Sequence, residues 1–308
     1  MARYVAARTV SFGRPLSLIV KASLFTLLVL GTLALSACDE SGPAREDPDA
    51  FAWRGDLAAP GVLQIRNTVG PITVEPSADS QIHVRASTRW SKGDPTRDVK
   101  FNVVSGGSIV TVCAVWGRGT CTANDYSSNT TKKRFSFGRS RSSDARVSLT
   151  VQVPAGVRVD ASTVSGEVNV RASAPVRART VDGSIKVGTS VGPVNAETVN
   201  GSVDVRMTTI GDTGAVRAVT TNGSAVAFVP DITDGRVEAS TLNGRIGTDF
   251  GSLPAAEGRS NRKFEGMIGA GGRRYVVKSL NGSAWLRLIN ADGTVRPAER
   301  DKGSPNAR

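Results

Sequence analysis

The chain has 308 residues, 5% aromatic content, 33 glycines and a formal net charge of +12. That length holds one large all-β domain or two ordinary ones. Few aromatics beside much Val, Thr, Ala and Gly exclude a thick aromatic core and point to thin layers of small interior side chains.

The first segment lies outside any fold. Arg3, Arg8, Arg14 and Lys21 precede the apolar run ASLFTLLVLGTLALSAC, which ends at Cys38. Basic residues, an apolar centre and small residues before a cut describe a secretory signal. A bilayer-spanning helix needs roughly 20 apolar residues, and this run falls short of that before Asp39 and Glu40. Its last four residues, Leu35-Ser36-Ala37-Cys38, resemble the lipobox of bacterial lipoproteins. The resemblance implies cleavage before Cys38, with residues 1–37 as the signal peptide. It also implies acylation of the Cys38 thiol and new amino group, which would anchor the chain to the periplasmic or cell-surface face of a bacterial membrane. Losing the four basic residues of the signal leaves a formal charge of +8. Residues 38–56 include DESGPAREDPDA, acidic and without periodicity, and are expected to be a flexible tether.

The folded domain is expected over 57–290, irregular over 77–146, with a polar, frayed tail over 291–308. Leu57 to Pro71 is expected to cap the N-terminal end, and no convincing helix is found. His83, the one histidine, stands in SQIHVRAS on the same side as Gln81 and Arg85, as a solvent-facing strand residue does. In VTVCAVWGRGTCTAN, Cys113 and Cys121 lie equally far from Gly117. A hairpin centred there would hold them across two strands at the separation a disulfide requires, and an exported chain meets oxidising conditions. Zinc is the rival, but two cysteines and one histidine make a poor ligand set.

The stretch TKKRFSFGRSRSSDAR, residues 131–146, interleaves Lys132, Lys133, Arg134, Arg139 and Arg141 with Phe135 and Phe137. These residues could grip an anionic polymer by charge and stacking, or lie on an anionic lipid surface. The alternative is a solvated loop whose phenylalanines pack on the nearest strand. Export argues against nucleic acid as a partner. Envelope polysaccharide, peptidoglycan, acidic phospholipid or an envelope protein remain.

From Val157 the chain repeats itself. Units align on Gly166, Gly183, Gly201, Gly223, Gly244 and Gly282, spaced by 17, 18, 22, 21 and then 38 residues. A looser unit surrounds Gly70. Seven residues before these glycines stand Val159, Val176, Val194, Val216, Val237 and Tyr275. Five before, Ala holds every place but the last, Val277, and three before stands Thr, or Ser279 in the last unit. The period of two is that of strands with one buried face, and each Asx-Gly is a corner where glycine permits positive φ. Two all-β architectures use such units. One is a single-stranded β-solenoid, a right-handed β-helix-like stack of rungs of about 17–22 residues carrying a disulfide-closed hairpin insertion. The other is a stacked array of β-hairpins with Asn-Gly turns. The same Ala in five successive units favours the solenoid, where each side chain packs on its copy in the next rung. AWLRLIN at 284–290 would be the last strand.

The repeated NGS[IV]xV, VQVPAGVRV at 151–159 and GMIGAGGRRY before the last repeat resemble the toast-rack family, bacterial β-strand-repeat domains that carry an adhesin label. The resemblance covers most of residues 60–290. It implies a right-handed β-solenoid outside a cytoplasmic membrane, without catalytic residues or cofactors. The residues themselves give no nucleophile elbow and no Gly-rich loop opening a helix, and their outward columns hold no clear acidic cluster. The expected function is that of a non-enzymatic cell-envelope lipoprotein that presents a β-solenoid for binding or scaffolding, in the manner of an adhesin. The alternative is an enzyme acting on an envelope polysaccharide, a solenoid lyase or hydrolase.

Overall fold

The computed structural model describes residues 43–128, 143–209, 214–230, 234–250, 263–290 and 292–295. The expected signal peptide, Cys38, the stretch from Lys132 to Arg141 and the tail beyond 295 lie outside the described residues. Pro43–Arg308 forms one compact unit.

Strands β1 (Arg45–Asp56), β2 (Val62–Arg66), β3 (Ile72–Pro76) and β4 (Gln81–Trp90) come first. A four-residue helix, Pro95–Asp98, is capped by the Asp94 carboxylate, which accepts from the Thr96 amide. It leads into β5 (Val99–Gly106), β6 (Ile109–Trp116), β7 (Thr120–Cys121) and β8 (Tyr126–Ser127). Then come β9 (Arg146–Val153), β10 (Arg158–Ser162), β11 (Val168–Ala172), β12 (Val176–Arg179) and β13 (Ile185–Thr189). They are followed by β14 (Val194–Asn200), β15 (Val203–Met207), β16 (Val216–Asn222) and β17 (Ala225–Val229). The last are β18 (Gly235–Asn243), β19 (Ile246–Thr248), β20 (Lys263–Ile268), β21 (Arg274–Asn281) and β22 (Ala284–Leu288).

The protein is all-β. One ten-stranded sheet runs β1-β4-β9-β3-β11-β13-β15-β17-β22-β19, and the other runs β20-β18-β21-β16-β14-β12-β10-β2-β6-β5. The first strand of each repeat lies in the second sheet and its second strand in the first. Ladders join repeats, parallel and in register: Val159 sits beside Val176, Val176 beside Val194, and Val194 beside Val216. Alternation then decides the core. Leu63, Ile65, Val159, Ala161, Ala178, Ala196 and Ala218 of one sheet and Ile72, Val74, Val168, Ile185, Val203 and Val205 of the other are all buried. Replacing one of these valines by Ala would remove two buried carbons and leave a cavity, at about 2–3 kcal/mol.

Three expectations need correction. First, residues 45–56 are not a tether: β1 pairs antiparallel with β4 along that stretch. Phe51 and Trp53 on its inner side pack against the core, and Phe51 stacks on Phe101 of β5 with ring centroids 5.0 Å apart. The charged residues that suggested a tether sit on a sheet edge, where charge discourages further pairing. Second, residues 57–71 do not cap the end. β2 is interior, with β10 on one side and β6 on the other, and the closing strands are β1, β4, β9, β5 and β6.

Third, Cys113 and Cys121 are bonded, with Cα atoms 6.3 Å apart, but not across a hairpin centred on Gly117. The antiparallel partner of β6 is β5, while β7 pairs with β8 in a small sheet of its own. That small sheet lies against β6 through the disulfide and through Tyr126, whose hydroxyl donates to the Ala114 carbonyl. It accounts for a β6 that is buried on both faces from Val110 to Trp116. AWLRLIN does form the last strand, β22, although β19 lies outside it at the edge of its sheet.

Candidate functional site

The recurring corner is explained by structure, without ligand chemistry. Thr163, Thr180, Thr198, Thr220 and Thr241, and Ser279 in the last unit, are buried and donate their hydroxyls to a glycine carbonyl of the neighbouring repeat. Asn200 donates its amide to Asp182, Asn222 to Asn200, Asn281 to Asn222 and Asn243 to Asn281, at 2.6–2.8 Å, so one polar ladder climbs the corner. A Cβ on Gly201 would lie 2.2 Å from the Gly183 oxygen, and φ there is +143°. At Gly166 the φ is not in the left-handed region, yet a Cβ would meet the Gly70 oxygen at 2.1 Å. Close approach of neighbouring corners, more than turn conformation, thus fixes glycine at every unit.

His83 is held by Asp79, its Nε2 lying 2.8 Å from both carboxylate oxygens. That contact, with the Gln81 amide and the Ser77 hydroxyl, lowers the Asp79 pKa to about 2. The histidine side chain is only 17% exposed, so its charged partner, and not open solvent, is its main environment.

What the sequence does not announce lies on the outer face of the second sheet. A groove of about 520 Å³ runs across β10, β12, β14, β16 and β21. Pro175, Pro193, Ala215 and Val276 give it an apolar floor, and Arg158, Arg177, Arg217 and Arg274 rise from its walls. All four arginines are exposed. Neighbouring parallel strands are about 4.8 Å apart, so Arg177 on β12 and Arg217 on β16 stand about 10 Å apart along the groove.

The carboxylates nearby are all paired with cations, two of them with arginines of the groove itself. Asp160, the one acidic residue among the lining residues described, takes a bidentate pair from Arg66 at 3.0 and 3.1 Å. Glu197 accepts from Arg217 at 2.9 Å and faces Arg179 at 3.6 Å. Burial works against the Glu197 charge, but the guanidiniums of Arg217, Arg179 and Arg177 outweigh it and hold its carboxyl below the usual range. Lys278 and Arg274 do the same for Glu238 against its partial burial. The Arg177 side chain makes no hydrogen bond among the described residues, and acts on Glu197 through its charge alone. The groove is therefore a cationic, partly apolar channel suited to carboxylate or phosphate groups set along a chain.

The signal for this groove was faint. Six residues before each glycine the column reads Asp160, Arg177, Asn195, Arg217, Glu238 and Val276, a mixed surface list. Arg158 and Arg274 come from the column two residues earlier, and Arg274 joins the groove only because β21 pairs with β16. The sequence-predicted contact residues Lys132, Lys133, Arg134, Phe135, Phe137, Arg139 and Arg141 lie outside the described residues, as does Cys38. Among the described residues no helix is long and apolar enough to cross a membrane.

No family model matches the chain, and no curated protein does. Among solved structures it is similar to a candidate cell adhesion protein from Clostridium sporogenes, at 10% identity and a TM-score of 0.42, over 79% of this chain and 100% of that one. It is also similar to a candidate adhesin from Bacteroides fragilis, at 11% identity and a TM-score of 0.32, over 79% and 99% of the two chains. A candidate lipid binding protein from Parabacteroides distasonis follows at 10% identity and a TM-score of 0.18, over 79% and 99%. Likenesses at this level establish no activity.

Proposed function

We propose that this chain is a non-enzymatic cell-envelope lipoprotein, anchored through Cys38, whose repeats form a β-solenoid that binds an anionic envelope polymer. The observation that carries the reading is the groove across five strands, where Arg158, Arg177, Arg217 and Arg274 converge from four separate repeats. A polymer with repeated carboxylates or phosphates would engage several guanidiniums at once, and each contact would raise the effective concentration for the next. The secretory signal, the Leu35-Ser36-Ala37-Cys38 motif and a bonded Cys113–Cys121 pair support export. Parallel, in-register ladders between repeats support the solenoid. A binding role is supported by the pairing of Asp160, the acidic residue of the described lining, with Arg66.

The loop from Lys132 to Arg141 would act as a second basic contact. Co-sedimentation of the full chain with peptidoglycan sacculi, anionic vesicles and neutral vesicles, at low and high salt, separates the possibilities. A variant with Arg177, Arg217 and Arg274 changed to Gln is expected to lose salt-sensitive binding to the sacculi. A variant with Lys132, Lys133, Arg134, Arg139 and Arg141 changed to Gln should lose less. The reverse order would transfer the site to the loop. Absence of binding to every anionic target would sink the polymer reading and point to a protein partner. Incorporation of labelled palmitate, abolished by Cys38→Ser, tests the anchor.

A further inference from the structure

Sequence order and spatial order part company at one place. The sixth repeat, β21–β22, lies between the fourth, β16–β17, and the fifth, β18–β19. Val216 pairs with Tyr275 and Tyr275 with Val237; Ala225 pairs with Ala284 and Ala284 with Ile246. The chain lays down the fifth repeat as an outer layer and returns through β20, antiparallel to the outer edge of β18. It then threads its final repeat into the gap.

Both walls of that gap are written in the repeat's own code. Ser279 donates to the Gly223 carbonyl and Thr241 to the Gly282 carbonyl, while the Asn281 amide joins Asn222 and Asn243 in one ladder. The fit has features that a generic strand would lack. The buried Tyr275 ring lies over Gly235, where an added Cβ would come within 2.6 Å of it. Arg274 and Lys278 both reach the nearly buried Glu238 carboxylate. Between β20 and β21 runs Gly269-Ala270-Gly271-Gly272-Arg273, with Gly269 and Gly271 at φ of +57° and +78°. A terminal element in a self-complementary slot, joined by a glycine-rich hinge, is what identical chains exchange at low cost.

We propose that β21–β22 is an exchangeable unit, and that the slot between β16 and β18 also accepts residues 274–288 of a second copy of this chain. Exchange preserves every ladder bond and every buried side chain of the slot, and alters only the hinge. The occupant is therefore a second copy, since Tyr275 over Gly235 and the two cations on Glu238 belong to this segment alone.

The test uses full chains carrying single cysteines at outward-facing ladder neighbours, co-expressed in pairs and resolved without reductant. Val219 pairs with Lys278 and Lys278 with Ser240. Ladder neighbours about 4.8 Å apart fall within disulfide reach, whereas Val219 and Ser240, two strands apart, stand about 9.6 Å from each other. Exchange predicts a disulfide-linked dimer from V219C with K278C and from K278C with S240C, and none from V219C with S240C, against the background of the unsubstituted chain. Deleting Gly271 and Gly272 should raise the dimer fraction, because a shortened hinge hinders return into the same chain. No dimer from any pair, even with the shortened hinge, overturns the proposal. Equal dimer from all three pairs overturns it too, since that would report copies packed side by side.

Discussion

Within Thr198-Val199-Asn200-Gly201, four consecutive residues have four separate physical fates. The Thr198 hydroxyl is the donor to the Gly183 carbonyl, Val199 is 42% exposed, Asn200 is a link of the amide ladder, and Gly201 has no room for a Cβ. Denaturant unfolding should therefore rank their substitutions steeply. Thr198→Val keeps the shape but leaves the part-buried Gly183 carbonyl without its donor, at about 1 kcal/mol. Gly201→Ala meets both a backbone oxygen and an unfavourable φ, at about 3–5 kcal/mol. Val199→Ser should stay within about 0.5 kcal/mol of the parent. A flat ranking would mean that the corner is not packed as described. Asp144 supplies a pH prediction. Its partial burial opposes ionisation, but the Ser91 hydroxyl and the Ser91 and Lys92 amides donate to it, and its pKa is lowered to about 2. A depressed carboxylate pKa gives stability that is complete above the unfolded value, near 4, and is lost as the pH falls through the folded value. Protection of the Ser91 and Lys92 amides, relative to their intrinsic exchange rates, should fall between about pH 4 and pH 2, and Asp144→Asn should remove that dependence. The columns of Val, Ala and Thr were legible because ladder neighbours repeat the same residue. The arginine groove was not, because its members come from two columns and from repeats out of sequence order.

At the level of elements, alternation named the strands of the repeats well but misjudged their partners elsewhere. In VTVCAVWGRGTC the glycines around Arg118 suggested a turn, and a turn is there, since the Gly119 amide donates to the Trp116 carbonyl at 3.4 Å. The strand after it nevertheless pairs with Tyr126–Ser127 and lies against the outer face of β6. Two edges compete for β6, and the longer antiparallel partner β5 takes its ladder from Val99 to Gly106. The disulfide, together with Tyr126, then holds the β7–β8 ribbon in place, since a two-stranded ribbon is marginal by itself. Its loop of 8 residues predicts a loss of about 2–3 kcal/mol for Cys113→Ala with Cys121→Ala. Local loosening should accompany it: exchange of the Trp116 amide, which donates to the Ser128 hydroxyl just beyond β8, should rise before global unfolding. Uniform loss across the whole domain would argue that the bridge acts on the unfolded chain alone. The hidden strand β1 has a similar lesson. Charge read as tether is also what an edge strand carries, and only Phe51 and Trp53 at alternate positions marked it as half-buried.

At the scale of the whole molecule, a stack of like repeats has neighbour-to-neighbour stability, so removing a terminal unit ordinarily trims one interface. Here the last repeat in sequence is not the last in space, and deleting the chain from residue 274 empties an interior layer. The faces left behind are the fourth and fifth repeats, whose Val216 and Val237, Ala218 and Ala239, Thr220 and Thr241, and Asn222 and Asn243 are the same residues in the same order. The truncated chain should accordingly close the gap by direct stacking and not unravel to Ala225. Within one chain, V219C and S240C report this: in the intact protein β21 separates them and no bridge should form, whereas in the truncated protein they become ladder neighbours and should oxidise readily. Loss of Tyr275, Val277, Leu286 and their contacts should also lower the stability and the denaturant m-value, in proportion to the buried surface removed. A truncated chain with exposed β18 and β19, no bridge and a proteolytic cut near residue 230 would show that repeats four and five do not recognise each other. Repetition would then be a property of the sequence that only the inserted layer makes structural. The bridge, if it forms, has the opposite meaning: the order of the layers is set by the return of the chain through β20, and the code at each corner is indifferent to which repeat it meets.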